Sequence, residues 1–214
     1  MLSTELTVLY VDATLLVLDK PAGLLSVPGR GADKQDCLSA RAQALYPDAL
    51  ITHRLDQATS GLMLMARGAE ANRKLSAAFA SRSVGKRYIA VVEGILAAPN
   101  EDWGVIDLPI SLDWPNRPRR IIDAQSGKPS VTRWRVLSHD KVKQTTRLEL
   151  EPLTGRSHQL RVHLQALGHA IVGDRLYGSQ AASAMPRMLL HAQSLELQHP
   201  VSGAALNFAS AAPF

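Results

Sequence analysis

The sequence predicts an α+β fold, and three observations carry that expectation. Short runs rich in aliphatic and β-branched residues recur along the chain, some alternating with period two. Helical stripes are few and do not fall between successive strands in the regular βαβ order of a parallel sheet. Finally, 214 residues with 46% hydrophobic and 20% charged side chains suffice to bury a sizeable core, so residues 1–214 are expected to form a single domain.

Leu6 to Val11 and Leu15 to Leu18 are β-rich runs separated by Asp12-Ala13-Thr14, which reads as a hairpin. Pro21, Gly23, Pro28 and Gly29 mark a long ordered loop. A helix is expected from Asp36 to Tyr46, with Asp36 as an early-turn acid, Leu38, Ala42 and Leu45 on one face, and Pro47 as its stop. Leu62 to Ala66 is an apolar run of buried-strand length. Ala69 to Ser81 places Ala71, Leu75, Ala78 and Phe79 on one helical stripe, with Arg73, Lys74 and Arg82 off it. Tyr88 to Val92 reads as a strand closed by Gly94, and Asn100 to Gly127 as an irregular insertion with short strands. Val131 to Leu137 and Thr145 to Leu150 alternate as half-buried antiparallel strands do. Ser157 is the expected N-cap of a helix whose stripe is Leu160, Leu164 and Leu167 and whose end is Gly168. Met188 to Leu190, Ser194 to Leu197 and Ala205 to Ala209 are strand-like.

Lysine and arginine number 24 against 19 acidic residues, and a pI of about 9.6 points to an anionic partner. The excess is local. Between Asp113 and His163 there are eleven basic residues against five acidic ones, so the rest of the chain is near neutral. A lone cysteine, Cys37, excludes an internal disulfide framework and suits a reducing compartment, where a small buried thiol is its expected role. Glu5 and Asp12 interrupt the N-terminus before any run long enough for a signal peptide or a membrane span, so the expected location is cytoplasmic, with no membrane partner.

The most informative stretch is Thr52-His53-Arg54-Leu55-Asp56-Gln57-Ala58-Thr59-Ser60-Gly61, which sets one carboxylate among basic and small polar residues just before an apolar run. Four letters, HRLD, are better served by a helix cap, an Asx-turn or a pairing with a nearby Arg. Around them, however, stand DKPAGLLSVPG (Asp19 to Gly29), KRYIAVVEG (Lys86 to Gly94), PLTGRSHQLRVHLQALGH (Pro152 to His169) and RMLLHA (Arg187 to Ala192). In this order, from about Leu6 to the C-terminus, the segments resemble the RluA-type pseudouridine synthases. DWPNRP (Asp113 to Pro118) and TGRSHQLRVH (Thr154 to His163) narrow the resemblance to the small RluA branch. It implies a pseudouridine synthase fold, with a mixed, largely antiparallel sheet, flanking helices and a central catalytic cleft. It further implies an isomerase acting on a uridine in 23S ribosomal RNA and one in tRNA anticodon stem-loops; a small single-domain basic enzyme is most simply a monomer. No auxiliary S4-type domain is expected, and specificity would come from the catalytic domain's own surface. LGHAIVGD carries Ala170 where the family commonly has Pro, a departure that bears only on loop rigidity.

Isomerising uridine breaks the bond between ribose and base nitrogen, turns the base and re-forms the link through carbon. Neither redox chemistry nor a phosphate donor is needed, and no cofactor or metal is expected. A carboxylate suits the task because it adds covalently to sugar or base, and leaves again. The resemblance assigns this role to Asp56, leaving open which atom it attacks, and makes Arg156 its counter-ion. Burial around a flipped base would raise a carboxyl pKa by roughly 3–5 units, and a neighbouring Arg lowers it by roughly 1–3. By the same resemblance Tyr88 stacks on the uracil and handles the proton at its carbon, Leu190 forms an apolar wall of the base pocket, and Arg54 fills the space of the extruded nucleotide. Arg117, Arg119 and Arg120, in WPNRPRR, are candidate phosphate contacts.

Other chemistries fit poorly. His158, His163 and His169 are spaced by five and six residues rather than three or four, and there is no HExxH, Walker A loop, G-x-G-x-x-G or G-x-S-x-G. The alternative is a non-catalytic RNA-binding protein on the same fold, separated from an enzyme by turnover rather than by salt-sensitive binding.

Overall fold

The computed structural model describes residues 5–180 and 184–214. The chain opens with a hairpin of β1 (Thr7–Val11) and β2 (Leu15–Lys20), its turn held by Asp12, whose Oδ1 accepts from the backbone N–H groups of Thr14 (2.6 Å) and Leu15 (2.9 Å). The helix α1 (Leu38–Leu45) begins two residues later than the sequence suggests. Its N-cap is Cys37, fully buried, with Sγ accepting from Ala40 N at 3.4 Å. Asp36 therefore lies outside the helix, where it pairs with Arg41 at 2.7 Å. There follow β3 (Ala49–Ile51), β4 (Ser60–Arg67) and α2 (Ala69–Ala80).

Next come β5 (Gly85–Glu93), the short strands β6 (Gly104–Asp107), β7 (Ile110–Leu112) and β8 (Arg120–Ile122), the long hairpin of β9 (Val131–Asp140) and β10 (Thr145–Pro152), and α3 (Gln159–Ala166). The chain ends with β11 (Leu190–Gln198) and β12 (Ala205–Ala209). The mix of antiparallel strands with three α-helices among the described residues is the α+β class expected from the sequence.

Two compact units are formed: Met1–Lys86 with His191–Pro213, and Arg87–Leu190 with Phe214. In the first, strands run in the order β1-β2-β4-β11, with β3 on β4 and β12 on β11. Every pairing is antiparallel except β4 with β11, whose parallel register sets Ser60 beside His191 and Gly61 beside Ala192. The two central strands are buried on both faces, which explains their unbroken apolar sequence. Leu15, Val17, Leu62 and Leu64 point toward Ala71 and Leu75 of α2, whereas Leu16, Leu18, Met63 and Met65 point toward Leu38 and Ala42 of α1. Each such side chain contributes roughly 1.5–3 kcal/mol by leaving water.

In the second unit the order is β5-β10-β9-β6, all antiparallel, beside a separate β7-β8 hairpin. One face of β9 and β10 buries Thr132, Trp134, Thr146, Leu148 and Leu150; the other carries arginines and glutamates. There Arg133 pairs with Glu151 (2.8 Å) and Arg135 with Glu149 (2.6 Å) across the ladder. Trp103 lies beneath Arg87, Arg133 and Arg135, with guanidinium carbons 4.7–4.9 Å from its ring centre.

At α3 the structure corrects two expectations. The N-cap is His158, in the left-handed region at φ 58°, and not Ser157. Gln159 takes over the capping work from inside the helix: its Oε1 accepts from Arg156 N (3.0 Å) and from Thr154 Oγ1 (2.7 Å). Leu160 and Leu164 are buried as expected, but Leu167 is exposed, because α3 stops at Ala166 and Gly168 turns the chain at φ +82°.

Candidate active site

The loop carrying Asp56 joins β3 to β4 in the first unit, and its backbone is fastened at several points. Thr52 Oγ1 donates to Leu64 O at 2.6 Å, and Leu64 N donates back to His53 Nε2 at 2.9 Å. The accepting Nε2 fixes the neutral tautomer of His53 with its proton on Nδ1. Its ring stacks on Phe79 of α2 at 4.4 Å and 28°. Burial, reinforced by the charge of Lys86, pushes the His53 imidazole down to about 3, so it stays uncharged near neutrality.

Beyond His53, Leu55 exchanges two hydrogen bonds with Ser26 Oγ, its N–H donating at 3.1 Å and its carbonyl accepting at 2.7 Å. Gln57 does the same with Gly23: Gly23 N donates to Gln57 O (2.8 Å) and Gln57 Nε2 to Gly23 O (3.0 Å). Lys20, wholly buried at the end of β2, donates from Nζ to the carbonyls of Leu24 (2.7 Å), Pro21 (3.0 Å) and Gln57 (3.2 Å). An ammonium has three protons to place, and these carbonyls receive them while binding the DKPAGL segment to the Asp56 loop. Leu55 is buried, Asp56 half-buried and Arg54 exposed. The loop ends at Gly61, φ +110°, where a Cβ would stand 2.3 Å from Ala192 O and 2.6 Å from Ala192 N.

Sequence reasoning missed Lys20, Ser26 and His53 as the fixtures of this loop. The legible signal was Lys20, a cation closing the otherwise apolar run LLVLDK. A lysine in a buried strand needs several carbonyl acceptors, and only a neighbouring loop could bring them.

Tyr88, Arg156 and Leu190 belong to the second unit. Tyr88 is half-buried on β5, in register with Leu150 of β10. Arg156 is exposed in the turn from β10 to α3, which is fixed from beneath. Gln159 Nε2 donates to Val131 O and Thr132 Oγ1, both at 3.0 Å, and Val131 N donates to Thr154 Oγ1 at 2.9 Å. Leu190 is buried at the start of β11. The segment before it is tied to β5 by Val91 N donating to Leu189 O at 3.0 Å.

Arg117, Arg119 and Arg120 come together on the β7-β8 hairpin. The loop end of β8 is held by Tyr177, whose hydroxyl accepts from Arg120 N at 2.7 Å and bonds His158 Nδ1 at 2.8 Å. Below that lies the buried ion pair of Arg161 and Asp174, at 2.6 Å. The three histidines weighed as metal ligands go to separate partners: His158 to Tyr177, His163 to Thr132 Oγ1 and Leu108 O, and His169 to Glu93 O. Among the described residues no three of His, Cys, Asp or Glu gather as a metal set, and no helix is long and apolar enough to cross a membrane.

Comparison with known proteins gives the family. Residues 14–166 match the family model described as RNA pseudouridylate synthase. The chain is 46% identical to the Dual-specificity RNA pseudouridine synthase RluA of Escherichia coli (strain K12), over 98% of this chain and 94% of that protein. To the protein of the same name from Yersinia pestis it is 46% identical, over 97% and 99%. Among solved structures it is similar to Human RNA Pseudouridylate Synthase Domain Containing 1, with a TM-score of 0.80 and 30% identity over 99% of this chain and 86% of that one. A family match across most of the chain, full-length relatives and a shared fold together place this chain in the RNA pseudouridylate synthase family.

Proposed function

We propose that this chain isomerises uridine to pseudouridine in 23S ribosomal RNA and in tRNA anticodon stem-loops, with Asp56 as the nucleophile and no bound cofactor. The family makes it an RNA-modifying isomerase, and the two substrates are supported by the dual specificity in the relatives' name and by the DWPNRP and TGRSHQLRVH segments. The observation that carries the catalytic assignment is the fastening of the Asp56 loop by Lys20, Ser26, His53 and Gly23. So many hydrogen bonds on one short loop fix the backbone on both sides of a half-buried carboxylate, which is what a covalent catalyst needs.

In the proposed sequence the target nucleotide leaves its stack, with Arg54 occupying the vacated space, at a cost of a few kcal/mol. The uracil rests between the Tyr88 ring and Leu190. Asp56, paired with Arg156, adds to the nucleoside as the bond from C1′ to N1 breaks. The base turns, C5 bonds to C1′, the C5 proton passes by way of the Tyr88 hydroxyl to solvent while N1 takes up a proton in its place, and the carboxylate departs unchanged. Atoms and electrons balance without an external reagent. Arg117, Arg119 and Arg120 hold phosphates of the surrounding RNA. The enzyme acts as a cytoplasmic monomer, and residues 1–214 work as one catalytic module.

The test is pseudouridine mapping on ribosomal RNA and tRNA fragments with the natural chain and with Asp56→Asn. Product is expected to vanish in the variant while RNA binding stays within a few-fold. Turnover at the natural rate by Asp56→Asn would refute the assignment.

A further inference from the structure

We infer that Trp114, at the tip of the β7-β8 hairpin, is a stacking platform for an unpaired RNA base other than the isomerised uridine. The inference rests on the proposed reading that RNA is the substrate. Trp114 is 65% exposed, although an indole in an ordinary domain buries most of its area. The guanidinium of Arg117 lies 4.6 Å from its ring centre, so the indole and a cation are presented as a pair.

The tip that presents them is built firmly. The Asp113 carboxylate accepts from Asn116 N (3.3 Å) and Asn116 Nδ2 (3.0 and 3.1 Å). Asp113 N donates to Arg119 O (3.1 Å) and Arg119 N to Asn116 O (3.0 Å). Pro115 and Pro118 restrict the backbone further. Little conformational entropy is left for a ligand to remove.

The charge around the tip separates this surface from the rest of the basic window. Arg133 and Arg135 are neutralised by Glu151 and Glu149. Among the described residues, no carboxylate forms an ion pair with Arg117, Arg119 or Arg120. The uncompensated positive charge therefore sits beside the exposed indole. An aromatic face next to unpaired guanidiniums matches a nucleotide, which offers a π-face and a phosphate a few ångströms apart. The loop end of β8 is joined through Tyr177 and His158 to the turn that carries Arg156. A base held at the tip is thus registered against that turn.

The experiment measures RNA affinity and single-turnover pseudouridine formation for the natural chain, Trp114→Ala and Trp114→Phe on one stem-loop substrate. A set of the same substrate carries a single abasic site at each loop position in turn. Stacking on an aromatic contributes enough that Trp114→Ala should weaken binding about 5- to 100-fold. The rate at saturating enzyme should stay within about threefold and Trp114→Phe should recover most of the loss. The slope of log affinity against log salt should not change, because stacking releases no counterions. At one loop position the abasic site should cost the natural chain what Trp114→Ala costs, with no further loss when the two are combined. Natural affinity in Trp114→Ala, or additive losses at every abasic position, would overturn the inference. So would a fall in the saturated rate with affinity unchanged. Binding reports on the platform and product on the isomerase, so each reading fails on its own measurement.

Discussion

Replacing Gly61 with alanine puts a methyl carbon into the backbone of the neighbouring strand. The new Cβ would lie 2.3, 2.6 and 2.8 Å from the O, N and C of Ala192, and none of these atoms can swing aside as a side chain would. Relief requires β11 to move off β4 by roughly an ångström, at the expense of a parallel bridge whose hydrogen bonds each contribute about 1 kcal/mol. Alanine must also adopt φ +110°, a region essentially reserved for glycine and costing of the order of 1–3 kcal/mol. Together these give a loss of roughly 3–5 kcal/mol, a large share of the 5–15 kcal/mol typical of a folded domain. For a chain of this size that is a fall in melting temperature of about 6–20 °C. The control is Gly203→Ala in the same unit, where φ is +72° but no atom lies within 4 Å of the added carbon, and where about 1–2 kcal/mol is expected. Urea unfolding followed by far-UV circular dichroism compares the two variants. Equal losses in both would show that backbone conformation alone demands the glycine, and that the close approach of β11 does not.

His53→Asn should flatten the acid limb of the stability curve. The folded imidazole is held at about 3 by burial and by Lys86, against roughly 6.5 unfolded. Its depressed value means that the stability it contributes is intact above pH 6.5 and declines as pH falls toward 3, by about 1.4 kcal/mol per pH unit. Parallel pH profiles for variant and natural chain would contradict this. Asp174→Asn leaves the guanidinium of Arg161, 6% exposed, without its charge partner, and is expected to cost about 3–5 kcal/mol by denaturant titration. The double variant Arg161→Met with Asp174→Leu should recover part of that loss, and no recovery would mean that the carboxylate's bonds to Leu176 N and Tyr177 N carry most of its value.

Local chemistry was legible wherever one segment could state its own requirement. LLVLDK and SGLMLMAR are apolar on both faces and became the strands covered on both sides. The stripe of Ala71 and Leu75 became the buried face of α2, and Cys37 proved to be the small buried thiol expected. Ser157 misled because serine is a good cap in isolation, whereas Gln159 had partners on β9 that no local rule supplies. The excess of basic residues from Asp113 to His163 likewise could not say which of them keep their charge. Glu149 and Glu151 on the next strand neutralise Arg135 and Arg133, so the hairpin arginines keep the charge.

What the amino-acid order determined by itself was most of the longer elements, the apolar runs of the central strands and the family motifs, since each depends on residues within a few positions of one another. The tertiary structure alone decided how the loop of Asp56 is fixed and why Gly61 must be glycine. Lys20 meets Gln57, Ser26 meets Leu55, and Gly61 meets Ala192 across separations of 37, 29 and 131 residues. Hydrogen bonds and steric exclusion act over a few ångströms of space whatever the distance along the chain, so these partners exist only once the strands have paired.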